Sequence, residues 1–230
     1  MRRELIILAN SRKMKNRCVA GIDRHTGRWV RPVYGDGTQG VPKSIRQIDG
    51  AEPALLDVIS VPLAEDGPHR DIQPENRLIL PGDWYKLGEA TLGEVIQYCQ
   101  TKGLLLHNTD RRIALSELRA VPRQSRASLC LVLAHACFFT EATYKHKKRV
   151  WARFRHDGNE YRIPVTDPYV EDTTPAYTKR SIYCLLTISL GLPFDKDHCC
   201  YKFVAGAIEL SEAKLLEIYR FLLQVRSGGD

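Results

Sequence analysis

The chain carries one strand-and-hairpin pattern twice. Residues Arg17–Val33 (RCVAGIDRHTGRWVRPV) overlie Arg149–Val165 (RVWARFRHDGNEYRIPV) without a gap, at an offset of 132 residues, 165 − 33. Arg17/Arg149, Ala20/Ala152, Pro32/Pro164 and Val33/Val165 are identical, and Ile22/Phe154 and Trp29/Tyr161 match in kind. Each copy is a pair of short β-type runs around a Gly-containing turn, the signature of a hairpin. Each follows an aliphatic run ending in Ala and a polar residue: Leu5–Asn10 (LIILAN) and Leu129–His135 (LCLVLAH). A strand followed by a hairpin, occurring twice, predicts two similar small β-domains in tandem.

Length agrees with that reading. At 230 residues the chain is one large domain or two of roughly 100 each. Its composition, 43% hydrophobic and 27% charged, is that of an ordinary globular protein. No apolar run approaches the ~20 residues that span a bilayer. The longest, Leu129–Phe139 and Ile182–Leu192, are interrupted by His135, Thr187 and Ser189. The apolar stretch after Arg2 and Arg3 is too short for a secretory signal. The expectation is a cytoplasmic protein with no membrane partner. Seven cysteines, an odd number, are then reduced and mainly buried. A net charge of +7 permits a polyanionic partner without demanding one.

The expected fold class is mainly β with a few helices: two tandem small β-barrels packed into one module. Residues 1–119 form the first barrel, with long loops and a helix; 120–127 (AVPRQSRA) are the linker; 128–230 form the second barrel with a C-terminal helix. Thr91 with Glu94 makes a capping box for a helix over Leu92–Thr101, ended by Gly103. Ser211 is the expected N-cap of the last helix, where Leu215, Leu216, Tyr219, Leu222 and Leu223 recur at helical spacing.

The second hairpin fixes its own register. With Asp157-Gly158 as the two-residue turn, facing residues sum to 315. Phe154·Tyr161, Ala152·Ile163 and Val150·Val165 then share one apolar face. Arg155·Glu160, Arg153·Arg162 and Trp151·Pro164 share the other. One register sorts core from surface cleanly.

That outer face is the first candidate site. Trp151, Arg153, Arg155 and Arg162, extended by Lys145, Lys147, Lys148 and Arg149, make a basic surface with an aromatic. Guanidinium and ammonium groups attract phosphates and an exposed indole stacks a base. The alternative is a solvated strand face on which Arg155·Glu160 is only a surface ion pair. The loop after the first strand is also basic, with Arg12, Lys13, Lys15 and Arg17. Trp84 and Tyr144 are further stacking candidates.

A second candidate is a ligand pocket formed by Arg31, His69, Gln73 and Asn76. Arg31 shares a strand face with Trp29 and Val33, the face whose counterpart in the second hairpin is core. A buried guanidinium needs a partner. Asp57 or Glu52 would supply it structurally; an anionic ligand would supply it functionally. His69–Asn76 (HRDIQPEN) concentrates ionisable and amide groups, which bind a ligand or satisfy turn backbone. His198-Cys199-Cys200 lacks the spacing of a zinc site, and there is no phosphate-loop or hydrolase motif. No catalytic residue, metal or cofactor is therefore expected.

The order of motifs resembles a bacterial family, the dual OB-containing domain. The pieces are ELIILANSRK, RCVAGID with WVRPV, LLDVISVPL with HRDIQPEN, and late in the chain SLGLPF and CYKFVAGAIEL, spanning about Glu4 to Leu210. The resemblance implies two oligonucleotide-binding (OB) barrels fused into one module. It implies nucleic-acid recognition, often beside enzymes of prokaryotic defence, and brings no catalytic residues with it. The leading expectation is thus a non-enzymatic module for single-stranded or unusually shaped DNA or RNA. Two alternatives stand beside it: an adaptor docking a partner enzyme encoded nearby, and a nucleotide sensor or enzyme using the pocket near Arg31 and His69–Asn76.

Overall fold

The computed structural model describes residues 1–144, 147–174 and 179–227. Their strands form two six-stranded sheets. The first holds β1 (Arg2–Lys13), β2 (Asn16–Asp23), β3 (Trp29–Val33), β4 (Asp57–Pro62), β5 (Asn76–Leu78) and β6 (Tyr85–Glu89), in the order β5-β3-β2-β1-β4-β6. The second holds β7 (Arg112–Ala114), β8 (Leu129–Tyr144), β9 (Lys147–His156), β10 (Asn159–Pro164), β11 (Lys179–Pro193) and β12 (Cys199–Leu210), in the order β10-β9-β8-β11-β12-β7. Five α-helices connect or flank them: α1 (Lys43–Arg46), α2 (Leu92–Ile96), α3 (Leu115–Ala120), α4 (Pro168–Thr173) and α5 (Glu212–Ser227).

The two orders are one ring interrupted at different seams. In the first unit β3 and β5 pair in parallel from Arg31↔Asn76 to Val33↔Leu78, and the β4–β5 seam is a single antiparallel bridge, Leu63↔Ile79. In the second unit β11 and β12 form a long antiparallel ladder, and the β10–β12 seam is a single parallel bridge, Val165↔Val204. Going round either unit, the strands run first, second, third, fifth, fourth. Neither ring is closed by a continuous ladder; each is a partly open sheet rather than a sealed barrel. The hairpins β2–β3 and β9–β10 hold the same place in the two rings.

Their registers also agree. Gly21 faces Val30 and Ile22 faces Trp29, while Phe154 faces Tyr161 and the rest of the second hairpin follows the sum of 315 from His156↔Asn159 to Trp151↔Pro164. Asp157 (φ 45°) and Gly158 (φ 76°) are both left-handed, as the tight hairpin turn requires. The faces they bury differ. Phe154 and Tyr161, stacked at 5.6 Å, belong to the core of the second unit with Ala152, Ile163 and Val132. In the first unit the core takes the other face: Val19 and Val30 pack with Leu5, Ile7, Ile59 and Trp84.

The remaining face of the first sheet is covered by the second unit. Ile6, Leu8, Ile22 and Val58 share a layer with Leu131, Leu185 and Leu210 of the second unit and with Leu92, Val95 and Ile96 of α2. Alternate residues of β1 thus enter different apolar layers, which accounts for the unbroken LIIL run. At the centre, the Leu8 carbonyl accepts a 2.6 Å hydrogen bond from Thr187 Oγ1. Gly206 on β12 lies against the same carbonyl; a Cβ there would sit 2.2 Å from the oxygen.

Local signals hold where they are local. Thr91 and Glu94 form the full capping box, although α2 ends at Ile96 rather than Thr101. Ser211 Oγ accepts from the Lys214 amide at the start of α5. The expected division at 120–127 meets a different arrangement. Leu105, Ile113 and Leu118 precede it, yet all three pack in the second core, and β7 pairs with β12. Ile113 enters that core through the pairing of β7 with β12, and Leu105 and Leu118 pack in it from the flanking segments.

Lys202 on β12 is fully buried, its ammonium donating to the Asn108 carbonyl (2.6 Å) and Asn108 Oδ1 (2.7 Å). Burial lowers its pKa from 10.5 to about 8. The folded state therefore releases this proton at lower pH than the unfolded chain does. Stability gains as pH rises from about 8 towards 10.5, because only the unfolded chain still holds the proton. Relative to Lys202→Met, the wild type should gain up to about 3 kcal/mol across that window, read by urea unfolding at each pH. Gly206→Ala should cost about 2 kcal/mol or more, because the added methyl must push the two units apart; the urea midpoint measures it.

Candidate nucleic-acid interface

The β2–β3 and β9–β10 faces hold equivalent places but have different fates. On β2–β3 the face away from the core is occupied. Ile22 lies in the layer against Leu131 and Leu185, Ala20 packs with Leu129 and Ala205, and half-buried Trp29 touches both groups. On β9–β10 the face away from the core is open. Arg149, Arg153, Arg155, Glu160 and Arg162 are exposed on it and Trp151 is half-buried. A bulge between His135 and Phe138 of β8 adds both residues to this side, opposite Arg155 and Arg153. The Phe138 contribution was hidden from strand alternation by that bulge.

The side chains on this face are pre-arranged. Arg162 stacks over Trp151, its guanidinium carbon 5.0 Å from the ring centroid. Arg153 forks onto Glu160 with bonds of 2.8 and 3.0 Å. The expected cross-strand pair, Arg155 with Glu160, is replaced by this diagonal one, and Arg155 makes no ion pair with a described residue. The Arg153 contact holds the Glu160 carboxyl below its ordinary range. Lys145 lies outside the described residues, as do the side chains of Tyr144, Lys147 and Lys148. Trp84 is buried in the first core, because β6 needs an apolar anchor there, and so is not a stacking platform.

The first basic loop is largely committed to structure. Arg12 bonds Glu171 (2.9 Å) and Asp172 (2.7 Å) of α4, and its backbone amide bonds the Thr166 carbonyl. The Asp172 contact raises the Arg12 pKa. Lys13 Nζ donates to the Gly37 carbonyl at 2.7 Å, and Arg17 lies 3.5 Å from Glu52. Lys15 is exposed at the turn.

Arg31, Gln73 and Asn76 do come together, as a clasp between the units. Arg31 is 4% exposed and donates to Asn76 Oδ1 (3.1 Å), Ser128 Oγ (2.9 Å), the Ser128 carbonyl (3.2 Å) and Ser189 Oγ (3.2 Å). Burial lowers its pKa, and nearby Glu75 opposes that shift. Glu75 in turn accepts from Ser128 N (2.7 Å), Ser128 Oγ (2.6 Å) and Leu129 N (3.2 Å). Gln73 donates to the Leu190 carbonyl at 2.8 Å and accepts from Asn76. Neither expected partner serves Arg31: Asp57 pairs with Lys86, and Glu52 with Arg46. Both lie beyond its strand face, which looks toward the second unit. His69 is half-buried at the loop, in a left-handed conformation (φ 59°).

Beside this clasp is a cavity of about 560 Å³ that no motif announced. Arg28, Trp29, Arg70, Arg77, Arg123 and Arg126 line it, with Glu75. The arginines come from the β2–β3 turn, the loop before β5, β5 itself and the segment between α3 and β8. Only the density of Arg in HRDIQPENR and VPRQSR pointed that way.

Two five-stranded, partly open rings, each built on a strand and a hairpin, define a tandem OB module, a fold whose second and third strands bind oligonucleotides. The chain belongs to the dual OB-containing domain family, whose description matches residues 3–207. No curated protein matches the chain. Among the described residues no helix is long and apolar enough to cross a membrane.

Arg31→Met should destabilise the protein by about 3 kcal/mol, since it removes the clasp and leaves Glu75 buried without its neighbouring cation. Arg31→Lys should not restore the loss, because an ammonium lacks the planar fork that reaches Ser128 and Ser189 together. Urea unfolding of the three proteins checks both.

Proposed function

We propose that this chain is a nucleic-acid recognition module that binds single-stranded or unusually shaped DNA or RNA on the β9–β10 face of its second unit. One observation carries the reading. Of the two equivalent hairpin faces, one is buried between the units and the other is left open with four arginines around Trp151. The guanidinium groups of Arg149, Arg153, Arg155 and Arg162 contact phosphates, and Trp151 with Phe138 receives bases. Stacking of this kind contributes about 1–3 kcal/mol per base and is tolerant of sequence. The sequence adds the charges of Lys145, Lys147 and Lys148 next to Arg149. The module itself is non-enzymatic in this reading and acts beside a partner enzyme, in the prokaryotic defence setting that the resemblance implies.

Fluorescence anisotropy with labelled oligonucleotides tests it. Binding should weaken as salt rises, with a log–log slope of about −3 for four phosphate contacts to a single strand. Arg153→Glu with Arg155→Glu should lower affinity at least tenfold and flatten the slope. Glu160→Gln should tighten binding by releasing Arg153. Absence of binding at low salt to single- and double-stranded DNA and RNA would refute the proposal, and unchanged affinity in the double variant would refute the assigned face.

A further inference from the structure

The arginine-lined cavity has the charge of an anion site. Five arginines face one carboxylate, Glu75, and both oxygens of that carboxylate are taken by Ser128 and Leu129. Two of the arginines are held in place by neutral acceptors, and a third by a carbonyl and a carboxylate. Arg126 donates to the Val121 (2.8 Å), Asp71 (2.9 Å) and Arg119 (2.5 Å) carbonyls, and Arg77 to the Pro74 (3.0 Å) and Asn76 (2.7 Å) carbonyls. Arg70 donates to the Pro74 carbonyl (3.4 Å) and also pairs with exposed Asp66. Carbonyl bonds orient a guanidinium and leave its charge available.

The other two arginines, Arg28 and Arg123, are exposed, and their side chains make no hydrogen bond or ion pair with a described residue. Arg77 Nε is buried with no hydrogen-bond partner among the described residues. The Arg77 pKa is lowered, by burial first and then by the neighbouring Arg70 and Arg3 charges. Like charges are thus gathered at a concave site, at a cost that a bound anion would relieve.

Size and lining narrow the class of anion. A cavity of about 560 Å³ far exceeds what one phosphate fills and lies in the range of small-molecule sites, roughly 300–1,000 Å³. Trp29 adds an aromatic surface to the wall. We propose that this cavity binds a nucleoside polyphosphate, its phosphate chain held by Arg28, Arg77 and Arg123 and its base against Trp29. The same chemistry is presented by a free nucleotide and by the 5′-triphosphorylated end of a strand.

Isothermal titration calorimetry on the full chain tests the site with ATP, GTP and inorganic triphosphate. A nucleoside triphosphate should bind with a micromolar Kd. Arg28→Ala with Arg123→Ala should weaken it at least tenfold with the melting temperature unchanged, because neither side chain has a hydrogen-bond or ion-pair partner among the described residues. Trp29→Phe should weaken ATP but not inorganic triphosphate. Arg153→Glu with Arg155→Glu should leave nucleotide binding intact, which separates this site from the β9–β10 face. Competition against a fluorescent ATP analogue then identifies the source. A 5′-triphosphate oligonucleotide that displaces it better than free ATP marks a strand end, and the reverse marks a free nucleotide. No binding up to millimolar concentration, or full binding by the Arg28/Arg123 variant, overturns the proposal. Equal affinity for ATP and inorganic triphosphate overturns the role of Trp29.

Discussion

The rest of the structure depends on the close approach of β1 and β12 at the Leu8 carbonyl. A main-chain oxygen in an apolar layer must be hydrogen-bonded, and Thr187 meets that need from the opposite unit. The approach is possible because position 206 carries no side chain. Once the units are that close, Ile22, Leu131 and Leu185 become a common core rather than two surfaces. Arg31, Gln73 and Glu75 then sit at the edge of that core, and each finds its acceptors or donors on the second unit. The chain holds two similar rings; packing makes them unequal.

That inequality sorts the charged residues. Cations that the sequence offers as one basic population fall into three groups. Arg12, Arg17 and Arg31 join segments far apart in the chain, and their charge is met by protein. Arg149, Arg155 and Arg162 remain on an open sheet. Arg28, Arg77 and Arg123 converge on a hollow between segments. A net charge of +7 says nothing of this partition. It is decided by which face of each hairpin is buried.

The second hairpin was legible residue by residue because one of its faces is wet. Alternation survives in the sequence only when burial is one-sided, and Asp157-Gly158 fixes the frame. The first hairpin has the same register, yet its facing could not be read: both faces are buried, so Val19, Ala20, Gly21 and Ile22 show no polar alternation. Capping by Thr91 and Ser211 was legible because it acts over three residues. Arg12 with Asp172 and Arg31 with Ser189 were not, since their partners lie about 160 residues away and no local rule links them. The arginine hollow was hidden for the same reason. The move of Leu105, Ile113 and Leu118 into the second core was masked by the linker-like composition that follows them.

That transfer places the true division between the cores earlier in the chain. Thr101, Lys102, Gly103 and Leu104 are exposed, with the first core behind them and the second, apart from Ile72, ahead. A protease nick there would cut the covalent connection without touching the apolar layer. The two fragments would stay together as a non-covalent heterodimer, and expressed separately each would present a greasy slab in search of the other. Co-production of 1–102 and 103–230 should accordingly give a split pair that reassembles around Gly206.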